Sequence, residues 1–266
     1  MYQFNYHKAT SVADAAAKLA AAADAKLMAG GQTLIAALKL RLASPSDVID
    51  LRGIAELRGI RKDGGAISIG ALATHAEVAA SKDVVQAVPA LASLAASIGD
   101  PMVRNMGTLG GSIANNDPAA DYPAGVLGLG ATIHTNKRKI AAADFFTGMY
   151  ETALQAGEII TSVSFPLPKR AGYAKFKNPA SRYAIVGVFV AETANGVRVA
   201  VTGAGPCVFR VPALEKALGA KFSADAVANI KVPAAGLNSD MHASAEYRAH
   251  LVTVMARRAV ETATAT

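Results

Sequence analysis

Apolar and polar residues fall into short blocks along this chain, and the blocks change period. Residues 11–23 have helical spacing, dominated by Ala, with Ser11 and Asp14 in capping-box form. Lys26-Leu27-Met28 is a short apolar strand that runs straight into Ala29-Gly30-Gly31-Gln32-Thr33. A helix over 34–42 follows and stops before Pro45, and residues 48–51 form another strand. Helix, strand, glycine turn, helix and strand make a small α/β unit. Residues 57–69 predict a hairpin turning at Lys62-Asp63-Gly64-Gly65. Thr74 caps a short helix over 75–80, and 84–97 is helical with Pro89 breaking or starting it. Residues 99–123 hold seven Gly or Pro and little apolar periodicity, which predicts a long, ordered, functional loop.

A hairpin pattern returns from 131, and a strand over 159–165 ends at Pro166 and Pro168, the predicted domain boundary. Beyond it, 184–192 and 197–201 flank Asn195-Gly196, a strong hairpin signal. A helix over 212–218 is predicted to stop at Gly219, and 244–262 forms a terminal helix. The class is α+β.

Composition narrows the function. At 266 residues the prior is one or two domains. The 52% hydrophobic and 18% charged residues point away from intrinsic disorder. The single cysteine, Cys207, excludes an internal disulfide and any Cys-based zinc or iron–sulfur site in this chain, and reads as a small buried residue. No Trp and 6% aromatics weigh against single-stranded nucleic-acid binding. The net charge of +7 is scattered, and its densest run, Lys137-Arg138-Lys139, reads as a solvated turn. Mean hydropathy is positive, at +0.28, but the apolar stretch 12–23 is interrupted by Asp14 and Lys18 and is shorter than a membrane span. MYQFNYHKAT carries no signal-peptide pattern, so a cytoplasmic location is expected.

Two glycine pairs carry the candidate chemistry, in AGGQTL (29–34) and TLGGS (108–112). Without Cβ atoms, their backbone N–H groups can approach a phosphate closely. The first lies between a strand and a helix, the context for anion binding. Neither fits GxGxxG or GxxxxGK[ST]. Each pair alone is compatible with a plain tight turn; together with the polar loop they favour an extended phosphate-bearing ligand. The five histidines show no metal spacing, and His75, following Thr74, reads as a surface or capping residue. Asp117 and Asp121 read as hydrogen-bond acceptors rather than an acid/base pair.

AGGQTL, RNMGTLGGSIANNDPAADYPA (104–124), DFFTGMYETAL (144–154) and GEIITSVSFP (157–166) together resemble the FAD-binding medium subunit of molybdenum hydroxylases, the xanthine dehydrogenase and carbon monoxide dehydrogenase family. The resemblance spans nearly the whole chain, and RLASPSDVIDL (41–51) is nearest carbon-monoxide-dehydrogenase-like relatives. It implies an FAD-binding domain of the vanillyl-alcohol-oxidase-like type over 1–168, with subdomains about 1–55 and 56–168, and a smaller C-terminal α+β domain over 169–266. It implies FAD contacts at Met28, Ala29, Gly30, Gly31, Gln32, Thr33 and Leu34, and at Thr108, Gly111, Ser112 and Asn115. Ser112 stands where the family usually has Asn. The resemblance also puts Asp121 on ribose or adenine-side hydroxyls, Ile160 near the isoalloxazine and Lys177 beside the flavin.

The implied protein is an oxidoreductase subunit without a catalytic acid, base or metal of its own, inactive on substrate alone. It takes electrons from the [2Fe–2S] clusters of a small partner subunit and passes them to an external acceptor. A large subunit holds the molybdopterin cofactor, and the complex is a dimer of heterotrimers, a heterohexamer. Carbon monoxide, purines, aldehydes and heterocycles all stay open as substrates. Two other readings stand: a nucleotide- or phosphate-binding module without redox role, and an independent flavin oxidase.

Overall fold

A computed structural model describes residues 1–265. The chain starts with a three-stranded parallel sheet ordered Asn5–Lys8, Asp47–Asp50, Ala25–Met28. Val48 and Ile49 of its middle strand are buried, as parallel strands generally are. Ser11 caps the Val12–Ala21 helix, but the Asp14 carboxylate accepts from the Thr10 N–H rather than returning to Ser11. The second helix is shorter than predicted, Leu34–Lys39, because Arg41 turns left-handed with φ 60°.

The predicted hairpin forms as Ile60–Asp63 and Ala66–Gly70. It edges a five-stranded antiparallel sheet continued by Ile160–Pro166, Thr132–Thr135 and Lys139–Ala141. Thr74 and Glu77 make a complete capping box on the His75–Ala80 helix, and Pro89 starts the Pro89–Ala96 helix.

The predicted loop over 99–123 is instead largely helical. It contains Pro101–Met106 and Leu109–Asn115 and enters Tyr122–Leu129. Asp100 and Thr108 cap the first two of these helices. Helices of six to eight residues are too short to show a period. The third has no polar face at all, since every residue in it is buried. Gly128 lets that helix lie on the next sheet: a Cβ there would come 2.9 Å from Phe189 Cδ1.

That sheet is antiparallel, ordered Arg170–Lys177, Ala184–Thr193, Gly196–Thr202, Phe209–Arg210. Alternate residues serve different cores. Tyr173, Phe189 and Ala191 join the N-terminal core, whereas Val186, Val188 and Val190 pack with the Ala245–Ala265 helix. The Pro212–Ala220 helix runs through Gly219, contrary to the predicted stop, and ends at an extended Lys221. Among the described residues no helix is long and apolar enough to cross a membrane.

Candidate functional site: a cavity between two glycine segments

The two glycine segments meet at a cavity of about 660 Å³. The Ala25–Met28 strand delivers residues 29–33 at its carboxyl end, where open α/β sheets hold ligands. Gly31 takes φ +75°, a left-handed conformation suited to glycine. Gly30 touches the other segment so closely that a Cβ would come 1.8 Å from the Met106 carbonyl oxygen.

Hydrogen bonding separates the two segments. Among the described residues the N–H groups of Gly30, Gly31, Gln32, Thr33 and Leu34 donate to nothing; the first to bond is Ile35, to Gly31 O at 2.9 Å. Thr33 gives the following helix no side-chain cap. This row of unsatisfied N–H groups at a helix start is an anion nest, and it fits a diphosphate. The second segment is internally satisfied. Leu109 and Gly110 donate to Ala73 O and Ala71 O at 3.0 and 2.9 Å. Gly111 donates to Thr108 Oγ1 at 3.1 Å and Ser112 to Thr108 O at 3.0 Å. That segment offers the cavity packing surface and the unpartnered side chains of Ser112 and Asn115. Similar sequence patterns thus do different work.

Met28 through Leu34, Thr108, Gly111, Ser112, Asn115, Asp121 and Ile160 all line the cavity. Asp121 turns its carboxylate into the protein: it accepts from the Tyr173 hydroxyl and lies 3.0 Å from Lys175 Nζ. Burial pushes this carboxyl upward, with Lys175 and Tyr173 acting against it. Lys177 does not line the cavity and stands exposed at the end of its strand. The register breaks between Phe176 and Lys177, so the alternation that buries Lys175 does not extend to it.

Several wall residues were not anticipated. His75, expected at the surface, is 5% exposed, and burial together with nearby Arg104 holds its pKa down to about 4. Tyr150 and Arg182 have left-handed φ of 57° and 62° with no glycine to signal it. Glu158 is also in the wall, and Arg138, from the turn read as solvated, pairs with it at 2.8 and 3.1 Å. That pairing, with the Gln155 N–H and Thr135 hydroxyl, holds the Glu158 carboxyl down to about 2.

Residues 2–168 match the family described as "FAD binding domain in molybdopterin dehydrogenase", and 171–263 match the "CO dehydrogenase flavoprotein C-terminal domain". The chain is 37% identical to the nicotine 6-hydroxylase medium subunit of Paenarthrobacter nicotinovorans, over 96% of this chain and 95% of the other. It is 36% identical to the carbon monoxide dehydrogenase medium chain of Afipia carboxidovorans, over 98% and 97%. A solved carbon monoxide dehydrogenase from Hydrogenophaga pseudoflava superposes with TM-score 0.88 at 35% identity, covering 99% and 98%. The overall fold is thus shared with these relatives, and the chain belongs to the molybdenum hydroxylase family as its FAD-binding medium subunit, an oxidoreductase component.

Proposed function

We propose that this subunit carries electrons inside a molybdenum hydroxylase complex, from the [2Fe–2S] clusters of a small subunit to an external acceptor. Substrate is oxidised at the molybdopterin cofactor of a large subunit, within a cytoplasmic dimer of heterotrimers. We read residues 1–168 as the FAD-binding domain and 169–266 as the C-terminal domain. FAD supplies the redox chemistry; the chain binds and orients it. The row of free N–H groups over 30–34 carries the reading, because it fits a diphosphate and has no partner among the described residues. Gln32, Thr33, Ser112 and Asn115 add side-chain donors and acceptors, and Ile159 and Ile160 add an apolar wall.

The test is reconstitution. The purified chain should take up FAD and show flavin absorption, yet substrate should bleach it only when both partner subunits are added. Turnover by the isolated chain would favour an independent flavin oxidase. Binding of ADP as tightly as FAD, without flavin selectivity, would favour a nucleotide-binding module.

A further inference from the structure

His75 is the one histidine in the cavity wall. It opens the His75–Ala80 helix, and its N–H donates to Gly107 O at 3.0 Å, which binds it to the entrance of the second glycine segment. Its ring lies against Gly107 so closely that a Cβ there would come 2.6 Å from Nε2. Gly107 in turn abuts Gly30: a Cβ on Gly30 would come 3.0 Å from Gly107 Cα. The imidazole therefore sits beneath the junction of the two segments, beside the anion nest.

Neither ring nitrogen has a partner among the described residues, and Nδ1 is fully enclosed. The Tyr122 ring, 5.3 Å away centre to centre, also has an enclosed hydroxyl without a partner. Buried polar atoms normally find partners, so an orphaned imidazole in the wall of the cavity calls for explanation.

On the reading that the nest holds the FAD diphosphate, we infer that His75 senses that phosphate: its imidazole hydrogen-bonds a phosphate oxygen and takes up a proton from solvent as the anion enters. The sign follows from linkage. In the apoprotein, burial and Arg104 keep the ring neutral down to about pH 4. A neighbouring phosphate charge favours the imidazolium, so affinity for FAD rises as pH falls toward the apoprotein value. The groups around the ring are few. Arg104 comes from the Pro101–Met106 helix and Tyr122 from the Tyr122–Leu129 helix. Glu77, on the same helix as His75, is held by Thr74. Lys82 and Asp83 of the Lys82–Ala87 helix are exposed, and the Pro89–Ala96 helix has no titratable residue.

The experiment uses the full-length apoprotein. FAD and riboflavin, which has no phosphate, are titrated at pH 5.5 and pH 8, and calorimetry in two buffers of different ionisation heat counts protons. With the imidazole returned by the phosphate to its ordinary value of about 6.5, FAD should bind roughly tenfold tighter at pH 5.5 than at pH 8, with proton uptake. Riboflavin should show neither effect. His75→Gln, which keeps a neutral donor near the Nε2 position, should bind FAD equally at both pH values. FAD affinity that ignores pH in the parent protein, the same pH dependence with riboflavin, or an unchanged dependence in His75→Gln would overturn the inference. The parent measurements stand even if the variant does not fold. Failure of the parent to bind FAD at either pH would instead remove the diphosphate reading itself.

Discussion

Lys175 Nζ lies 3.0 Å from Asp121 Oδ1, and both side chains are buried, 6% and 4% exposed. The pair links the first strand of the C-terminal sheet to the start of the Tyr122–Leu129 helix, at the edge of the cavity. Lys175 also donates to Ser97 O at 3.0 Å, and the Tyr173 hydroxyl completes the carboxylate's shell. Lys175→Met leaves a buried carboxylate without its counter-ion and should cost about 3–5 kcal/mol in urea unfolding at pH 7. Combining it with Asp121→Asn should recover part of the loss. Lys177→Met should stay within about 0.5 kcal/mol of the parent, as exposed positions usually do. Equal effects at 175 and 177 would show that the clasp does not exist.

The two glycine segments should respond differently to a methyl group. Gly31→Ala meets a left-handed φ, at a cost of about 1–2 kcal/mol, and its Cβ would approach Ile35 Cδ1 to 2.6 Å. Displacing even one N–H from a charged phosphate costs roughly 1.5–3 kcal/mol, so FAD affinity should fall about ten- to hundredfold. Gly111→Ala crowds Thr108 Oγ1 at 2.9 Å and disturbs a helix cap, worth about 1 kcal/mol of stability, with less effect on FAD. Fluorescence titration with FAD and thermal unfolding separate the two outcomes.

Apoprotein stability should depend on pH through His75. Its pKa, about 4 in the folded state against 6.5 unfolded, means the unfolded chain binds more protons between those values. The contribution is complete above pH 6.5 and is lost as pH falls toward 4, by up to ~3 kcal/mol. His134, also held down by burial, acts in the same direction. Urea midpoints at pH 7 and 4.5 should differ accordingly, and His75→Gln should reduce the difference.

Glu158→Gln removes the carboxylate that joins Arg138, Thr135 and the Gln155 N–H just before Ile159 and Ile160. Loss of the charge-assisted bonds should cost about 1.5–3 kcal/mol in thermal unfolding and loosen the apolar wall. Lys139→Ala, exposed at the start of the adjoining strand, should be nearly neutral.

The sequence by itself determined the local elements that carry their own chemistry. The Thr74–Glu77 capping box, the Gly64 and Asn195-Gly196 hairpins, the Pro89 start and the strand-to-glycine transition at Met28 are dictated by residues next to one another in the chain. The glycine pairs and their flanking motifs were also enough to point to the family. Tertiary structure decided what depends on residues far apart in sequence. Within 99–129, the Leu109–Asn115 and Tyr122–Leu129 helices owe their stability to burial rather than to a period. In the second glycine segment the Leu109 and Gly110 N–H groups are met by carbonyls of the distant Ala73 and Ala71, whereas no distant carbonyl among the described residues meets the N–H groups of the first. A register break turned Lys177 away while Lys175 was drawn in to Asp121, and packing under Gly107 buried His75. Each of these outcomes is set by which distant backbone arrives alongside, and no local pattern records that.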